Sequence, residues 1–186
     1  EELLDLSKYV LNENSIYFLN NFNPLNIKNE YSLLIKYNNK ITQMNYDLED
    51  FVVSGSYPLQ MLGIVNSNDL DYISKDNVLL NEKKIDSHNK HINYYHTSVN
   101  NLIYDPSNYF YYKGLKFLSP RTLMFFKEKR GELKDRIVIY NYLKKQKTLK
   151  YFLNNILYSF QLVKFKSISL IIKYSKPLGV YNILKS

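Results

Sequence analysis

The chain has 186 residues and no cysteine, which removes disulfides, thiolate zinc sites and cysteine nucleophiles. Its 45% hydrophobic content, with only five glycines and five prolines, argues against bulk disorder and suffices for one domain with a buried core. Much of the formal net charge of +8 follows residue 110, which favours either an anionic partner or a solvated basic face.

The first half of the chain is predicted to begin as a helix and continue into short strands. Apolar residues recur at helical intervals over residues 1–22, and Pro24 breaks that pattern. Residues 30–39 fit either a helix or a short strand. Residues 51–53 form a buried-strand pattern that stops at Ser54.

A short helix and a second strand are predicted to follow. Residues 57–62 suit a helix with Pro58 in its first turn and Gly63 at its end. Residues 69–74 alternate acidic and apolar side chains, which is typical of a half-buried strand. Residues 75–101 are weakly patterned and predict a helix or a short strand with a loop.

The second half alternates further strands with helices. Its predicted elements are a strand at 101–105 ended by Pro106, a hairpin turning near Gly114, a helix that starts at Ser119-Pro120 and ends or kinks at Gly131, and one or two long helices over 132–175. The fold class predicted is α+β, a small mixed sheet flanked by helices with a helical C-terminal part. We expect the core at residues 49–143, an N-terminal helical segment at 1–48 packed on it, and a basic helical segment at 144–186.

The location expected is cytoplasmic. The sequence shows no signal-peptide pattern and no run of about 18 uninterrupted apolar residues, so no transmembrane segment is predicted. The basic segment at 144–186 is where peripheral contact with a membrane surface or a partner is expected, and its alternative is a helix packed on the domain.

Two aspartates carry the strongest chemical signal. On a strand, the spacing of Asp69 and Asp71 puts both side chains on one face, with Cα atoms roughly 6.5–7 Å apart. Two carboxylates on one face repel each other unless a cation lies between them. A hard divalent ion such as Mg²⁺, which often adds substrate phosphates to one or two carboxylates, is the natural ligand.

The turn before them suits a phosphate group. Gly55 between a strand and a helix lets the backbone approach a ligand closely, and a helix start favours an anion. The Ser56 hydroxyl then has two options, which are to bind the same phosphate or to cap the helix.

The spacing of the turn and the acid pair resembles a known signature. Gly-Ser, twelve residues and Asp-Leu-Asp is similar to the motif of the DNA polymerase β-like nucleotidyltransferase superfamily, over about residues 50–143. The matching positions are Ser54, Gly55, Ser56, Asp69, Leu70, Asp71 and Tyr72. The superfamily usually has an apolar residue where Ser54 stands. The resemblance implies a nucleotidyltransferase core that binds a nucleoside triphosphate with Mg²⁺ or Mn²⁺.

The superfamily usually has a third carboxylate on a following strand. Asp105 is the first choice here, because an apolar strand is predicted before it, and Asp86 is the second. An Asx turn ahead of Pro106 is the alternative reading of Asp105.

A second stretch resembles the end of many bacterial nucleotidyltransferase domains, including abortive-infection-type toxins. The matching residues are Gly114, Ser119, Pro120, Lys127, Lys134 and Asp135. The resemblance implies that Lys127 or Lys134 reaches nucleotide phosphates. On a continuous helix these lysines would share one face with Arg130. The alternative is a solvated face on which Asp135 pairs with a neighbouring cation.

The histidines and the tyrosines have simpler interpretations than a zinc site or a nucleic-acid surface. His88, His91 and His96 lie close in sequence, and we expect them on a polar surface rather than in a zinc site. The 19 tyrosines invite a base-stacking interpretation, but packing in the core and hairpin is the expectation. A nucleic-acid partner is therefore not favoured.

The function that the resemblance implies is transfer of a nucleoside monophosphate from a triphosphate to a hydroxyl of a small molecule, a sugar or a protein. Asp69, Asp71 and Asp105 would hold two metal ions, and Gly55 and Ser56 would hold phosphates. One alternative is a metal-dependent glycosyltransferase using a nucleotide sugar, in which the acid pair usually falls later in the chain. The other is a catalytically silent module that binds a partner or an anionic surface.

Overall fold

The computed structural model describes residues 13–27 and 30–146. The helices in these ranges are α1 Glu13–Asn21, α2 Tyr31–Gln43, α3 Tyr57–Met61, α4 Val99–Tyr104, α5 Pro120–Arg130 and α6 Leu133–Gln146. The strands are β1 Phe51–Ser54, β2 Leu70–Ser74, β3 Ile85–Ser87, β4 Tyr109–Tyr112 and β5 Leu115–Leu118. Short 3₁₀ helices cover Pro24–Ile27, Leu48–Asp50, Asn89–Tyr94 and Pro106–Asn108.

The five strands form one mixed sheet in the order β3-β2-β1-β5-β4. The pairs β1–β2 and β4–β5 are antiparallel, whereas β1–β5 and β2–β3 are parallel. Helices flank this sheet, so the prediction of a small α+β fold with a mixed sheet is confirmed. The central position of β1 explains why all four of its residues are buried.

Aromatic side chains attach the N-terminal helices to the sheet. Tyr37 of α2 lies with its ring centroid 6.5 Å from that of Phe51 and 5.7 Å from that of Tyr72. Phe18 of α1 stacks on Phe110 of β4 at 4.3 Å. In the aromatic run at residues 109–112, Tyr109 and Phe110 are buried, so this part of the run serves packing. Contacts divide the chain into two compact units, Glu1–Asn141 and Tyr142–Ser186, and the whole sheet belongs to the first.

Several local predictions are confirmed. The helix α5 begins as expected, because the Ser119 hydroxyl accepts a hydrogen bond from the Thr122 amide and Pro120 follows it. The turn between β4 and β5 places Lys113 and Gly114 at φ of 50° and 74°, the left-handed geometry that tight hairpins favour. Gly131, at φ 70°, ends α5.

The predicted strand before Pro106 is wrong, because these residues form α4. The Ser98 hydroxyl accepts a hydrogen bond from the Asn101 amide and caps the helix, and Leu102 and Ile103 are buried. A short apolar run has no periodicity that separates a strand from one and a half helical turns.

Other predictions fall on residues that the structure does not describe. These are the helical patterns of residues 1–12 and 147–175, and the basic segment beyond Gln146. Within residues 13–27 and 30–146, no helix is long and apolar enough to cross a membrane.

Candidate functional site

A cavity of about 600 Å³ opens where β1 ends. The structure brings six of the predicted site residues to its walls, namely Gly55, Ser56, Asp69, Asp71, Lys127 and Lys134. The carboxylates come from β2 and the loop before it, and the cations come from the junction of α5 and α6. The Gly-Ser turn lies between these two sides.

Gly55 is required by both backbone conformation and space. Its φ of +65° lies in the left-handed region that L residues rarely adopt. The antiparallel register places Ser54 opposite Asp71, so the Asp71 side chain lies over the turn. A Cβ at position 55 would overlap Asp71 Oδ2 and lie 2.8 Å from Asp71 Cβ. The carboxylate therefore occupies the space that glycine leaves open.

The two aspartates share the cavity but differ in environment. Asp69 is exposed, and its Oδ1 accepts a hydrogen bond of 2.9 Å from the Ser67 hydroxyl. The Asp71 side chain is only 15% exposed. Burial, helped by the charges of Asp69 and Asp86, raises the pKa of Asp71 to about 7, although Lys127 and Arg130 oppose the shift. The negative charge around Asp71 is therefore greater than the positive charge of Lys127 and Arg130 compensates.

Asp86, the second choice for the third carboxylate, lies next to this pair. In the parallel pairing of β2 and β3, Asp86 is the register partner of Asp71. Paired residues of neighbouring strands project to the same face of a sheet. Asp86 is exposed, and its charge is among the causes that raise the pKa of Asp71.

Asp105, the first choice, lies elsewhere. Its carboxylate accepts a hydrogen bond of 2.9 Å from the Ser107 amide, which is the Asx turn of the alternative reading. The neighbouring Tyr104 hydroxyl bonds to Asp50, which precedes β1, whereas Gly55 follows it. Since β1 spans roughly 13 Å, Asp105 lies toward the opposite end of the strand. The strand that was predicted before Asp105, and that was the reason for choosing this residue, is also absent.

The donor set fits a divalent ion that is completed by a substrate. In the part of the chain that the structure describes, no three His, Asp or Glu side chains already form a closed cluster around one point. Mg²⁺ does not need such a cluster, because it commonly binds one or two carboxylates together with water and phosphate oxygens. Asp69 and Asp71, one of them buried beside the glycine turn, are the residues that would hold it.

The basic side of the cavity is built differently from the prediction. The left-handed Gly131 separates α5 from α6, so Lys127, Arg130 and Lys134 do not share one face of a continuous helix. Lys134 is 71% exposed and pairs with Glu132 at 3.0 Å.

Lys127 and Arg130 meet on a buried carboxylate. Asp135 is fully buried. Its carboxylate accepts hydrogen bonds from Arg130 Nε at 2.7 Å and Nη2 at 2.6 Å, and Lys127 Nζ lies 3.3 Å from its Oδ1. The predicted pairing of Asp135 with a cation is confirmed, but the face is not solvated, because the Lys127 side chain is only 3% exposed. Burial lowers the pKa of Lys127, and Asp135 opposes that shift.

Ser56 connects the basic side to the glycine turn. It occupies the position before α3, yet its side chain makes no capping hydrogen bond. Its Oγ instead lies 3.5 Å from Lys127 Nζ. Of the two options predicted for Ser56, capping is therefore not the one observed. The α3 helix has five residues, so its dipole adds little to anion binding.

His88 is the functional-site residue that sequence reasoning missed. Expected on a polar surface, it is 9% exposed and contributes to the cavity wall beside the less buried His91. Its Nε2 lies 3.2 Å from Asp71 Oδ2, and its Nδ1 lies 3.3 Å from Ser54 Oγ. Only the pairing of β3 with β2, which local sequence does not reveal, brings His88 here. His96 is exposed, as expected.

Replacing Gly55 by alanine should cost far more stability than replacing Gly114. Both glycines have positive φ, but a Cβ at position 114 meets no atom within 4 Å. We expect Gly114→Ala to lose roughly 1–2 kcal/mol of unfolding free energy and Gly55→Ala roughly 3–5 kcal/mol, measured by urea denaturation. Equal losses would show that Asp71 is not held against the turn.

Replacing Asp71 by asparagine should stabilise the metal-free protein at alkaline pH. Because the pKa of Asp71 is raised from 3.8 to about 7, the folded chain holds this proton more tightly, and stability is lost as pH rises through 7. Asp71→Asn should therefore match the wild type near pH 4 and exceed it by roughly 1–3 kcal/mol at pH 8.

Denaturation at the two pH values checks this expectation, with the exposed Asp76→Asn as the control. A difference between wild type and Asp71→Asn that does not grow with pH would contradict the buried, charged state of Asp71.

Comparisons with known proteins add no family to this site. The chain matches no protein-family model, no curated protein and no solved structure. What the cavity binds must therefore be inferred from its own residues.

Proposed function

We propose that this chain is a metal-dependent nucleotidyltransferase that moves a nucleoside monophosphate from a triphosphate to a hydroxyl acceptor. The observation that carries the proposal is the polarity of one cavity. A carboxylate pair forms one side, cations form the other, and the Gly55-Ser56 turn lies between them, with the Asp71 carboxylate against Gly55. The resemblance of the Gly-Ser and Asp-Leu-Asp spacing to the polymerase β-like superfamily agrees with this polarity.

The charges of the lining fit a metal–triphosphate better than either component alone. Asp69, Asp71 and Glu132 carry negative charge, and Lys127, Arg130 and Lys134 carry positive charge. A triphosphate alone would be repelled by the carboxylates. A divalent ion on the acidic side removes this repulsion, and the basic side then attracts the phosphates.

Each residue has a definite task under this proposal. Asp69 and Asp71 would hold the ion, which would supply positive charge to the triphosphate and lower the pKa of the attacking hydroxyl. Ser56 and the backbone of Gly55 position phosphate oxygens, and Lys127 adds positive charge beside Ser56. The acceptor oxygen bonds to the α-phosphorus, pyrophosphate leaves, and the hydroxyl proton passes to a carboxylate.

Asp86 is the better candidate for that third carboxylate. It stands in register with Asp71 on the neighbouring strand, whereas the Asp105 carboxylate is used in a turn toward the far end of β1. Asp86 lines a separate cavity with Asn77 and Ser87, and its exposed carboxylate is open to an incoming hydroxyl and its proton.

Nucleoside triphosphates should stabilise the folded protein only when a divalent ion is present. We expect at least one of ATP, GTP, CTP and UTP, with Mg²⁺ or Mn²⁺, to raise the melting temperature, since a ligand at 100 times its Kd adds about 2.7 kcal/mol. Asp71→Asn and Asp69→Asn should abolish the rise, and Asp76→Asn should keep it.

Two results would replace the proposal. Stabilisation by UDP-sugars but by no triphosphate would favour the glycosyltransferase. No response of the wild type to any nucleotide would favour the silent module.

Asp86 and Asp105 can be separated by matched substitutions. Metal-dependent release of pyrophosphate from the nucleotide that binds should fall about 100-fold in Asp86→Asn. It should stay within about two-fold in Asp105→Asn, because an asparagine oxygen still accepts from Ser107 and keeps the turn. The reverse pattern would restore Asp105 as the third carboxylate.

A further inference from the structure

A chain of three polar side chains lies beneath the acidic side of the cavity. Ser54 Oγ is 3.3 Å from His88 Nδ1, and His88 Nε2 is 3.2 Å from Asp71 Oδ2. Ser54 is fully buried and His88 nearly so. Neither residue has a task in the nucleotide chemistry above, although both are polar and both are removed from water.

The position of the His88 ring is fixed from several directions. Its backbone amide donates to the Tyr72 carbonyl at 2.7 Å, which ties it to β2. Its ring lies 5.9 Å from that of Phe126 and 5.0 Å from that of His91, measured between centroids. A ring held this way presents Nε2 to one side and Nδ1 to the other with little freedom.

The hydrogen-bond roles follow from the charge of Asp71. When Asp71 binds a cation it is a carboxylate, which only accepts hydrogen bonds, so Nε2 must carry the proton. With the proton on Nε2, a neutral ring has Nδ1 as its acceptor, 3.3 Å from the Ser54 hydroxyl. Nδ1 therefore accepts from the Ser54 hydroxyl, and that bond selects the tautomer.

The same contact determines which oxygen of Asp71 is available. Oδ2 lies between His88 Nε2 and the open face of Gly55. Among the residues that the structure describes, Oδ1 has no hydrogen bond or ion pair of its own. The carboxylate is thus held by one oxygen, and the other is left to a ligand.

We infer that His88, with its tautomer set by Ser54, is a positioning residue that holds the Asp71 carboxylate for a divalent ion. This inference rests on the proposed function, because it presumes that Asp71 is a metal ligand. Hydrogen bonds from partners behind metal ligands commonly change metal affinity by about 10–100-fold.

The test measures binding of Mn²⁺ alone to the full chain at pH 8 by electron paramagnetic resonance. His88→Leu should weaken Mn²⁺ binding at least 10-fold, whereas His88→Gln, which keeps an N–H donor, should restore most of the affinity. Ser54→Ala should weaken binding less than His88→Leu. Adding Ser54→Ala to His88→Leu should cause no further loss, because both act through one chain. His96→Gln, at an exposed site, is the control.

The outcomes separate this inference from the proposed function. If the wild type and all variants bind Mn²⁺ equally and only their melting temperatures differ, His88 is structural and the inference fails while the proposed function stands. If the wild type does not bind Mn²⁺ alone, the inference fails, whereas the proposed function fails only if nucleotide and metal together also leave the melting temperature unchanged. Electron spin echo modulation from a coordinated nitrogen would show that His88 binds the ion directly, which also overturns positioning. Should His88→Leu not fold, Ser54→Ala and His88→Gln decide the question.

Discussion

The close approach of Asp71 to the backbone of Gly55 is the constraint on which the rest of the site depends. The antiparallel pairing of β1 and β2 places the two strands in a register that brings Ser54 opposite Asp71. The chain then turns sharply at a left-handed glycine, and the carboxylate lies where any side chain would have been. A buried carboxylate beside two others is unfavourable by itself. The fold therefore retains a charge arrangement that binding of a cation would relieve.

The basic side of the cavity also buries charged side chains, but there the charges are paired. Lys127 and Arg130 are largely buried, but they share the carboxylate of Asp135, which the break at Gly131 brings back against α5. Burying such a cluster costs desolvation energy that its attraction does not reliably offset, so stability is a weak reason for it. A fixed position of Lys127 beside Ser56 is the more specific consequence. One side of the cavity thus keeps a net positive charge, because two cations share one carboxylate, and the other side is left with excess negative charge.

Local sequence predicted the elements that are self-contained. The strand ending at Ser54, the short helix with Pro58 and the hairpin at Gly114 each have their signal within a few residues. Asp86 and His88 lie near Asp71 because β3 pairs in parallel with β2, and no local pattern encodes that pairing. The strand expected before Asp105 proved to be a helix for a related reason, since a six-residue stretch does not reveal whether it is strand or helix. The sequence shows that Ser54 stands where the superfamily that the chain resembles usually has an apolar residue. It does not show that the Ser54 hydroxyl lies beside Nδ1 of His88.

We propose that one cavity holds a divalent ion on its acidic side and a triphosphate across the glycine turn. The most direct measurement is a crystal structure of the wild type with Mn²⁺ and a non-hydrolysable nucleoside triphosphate, with anomalous scattering used to locate the manganese. We expect a manganese peak bound by Asp69 and Asp71, with phosphate oxygens against Gly55 and Ser56. Nucleotide bound elsewhere, or no manganese at the two aspartates under conditions that saturate the protein, would contradict it.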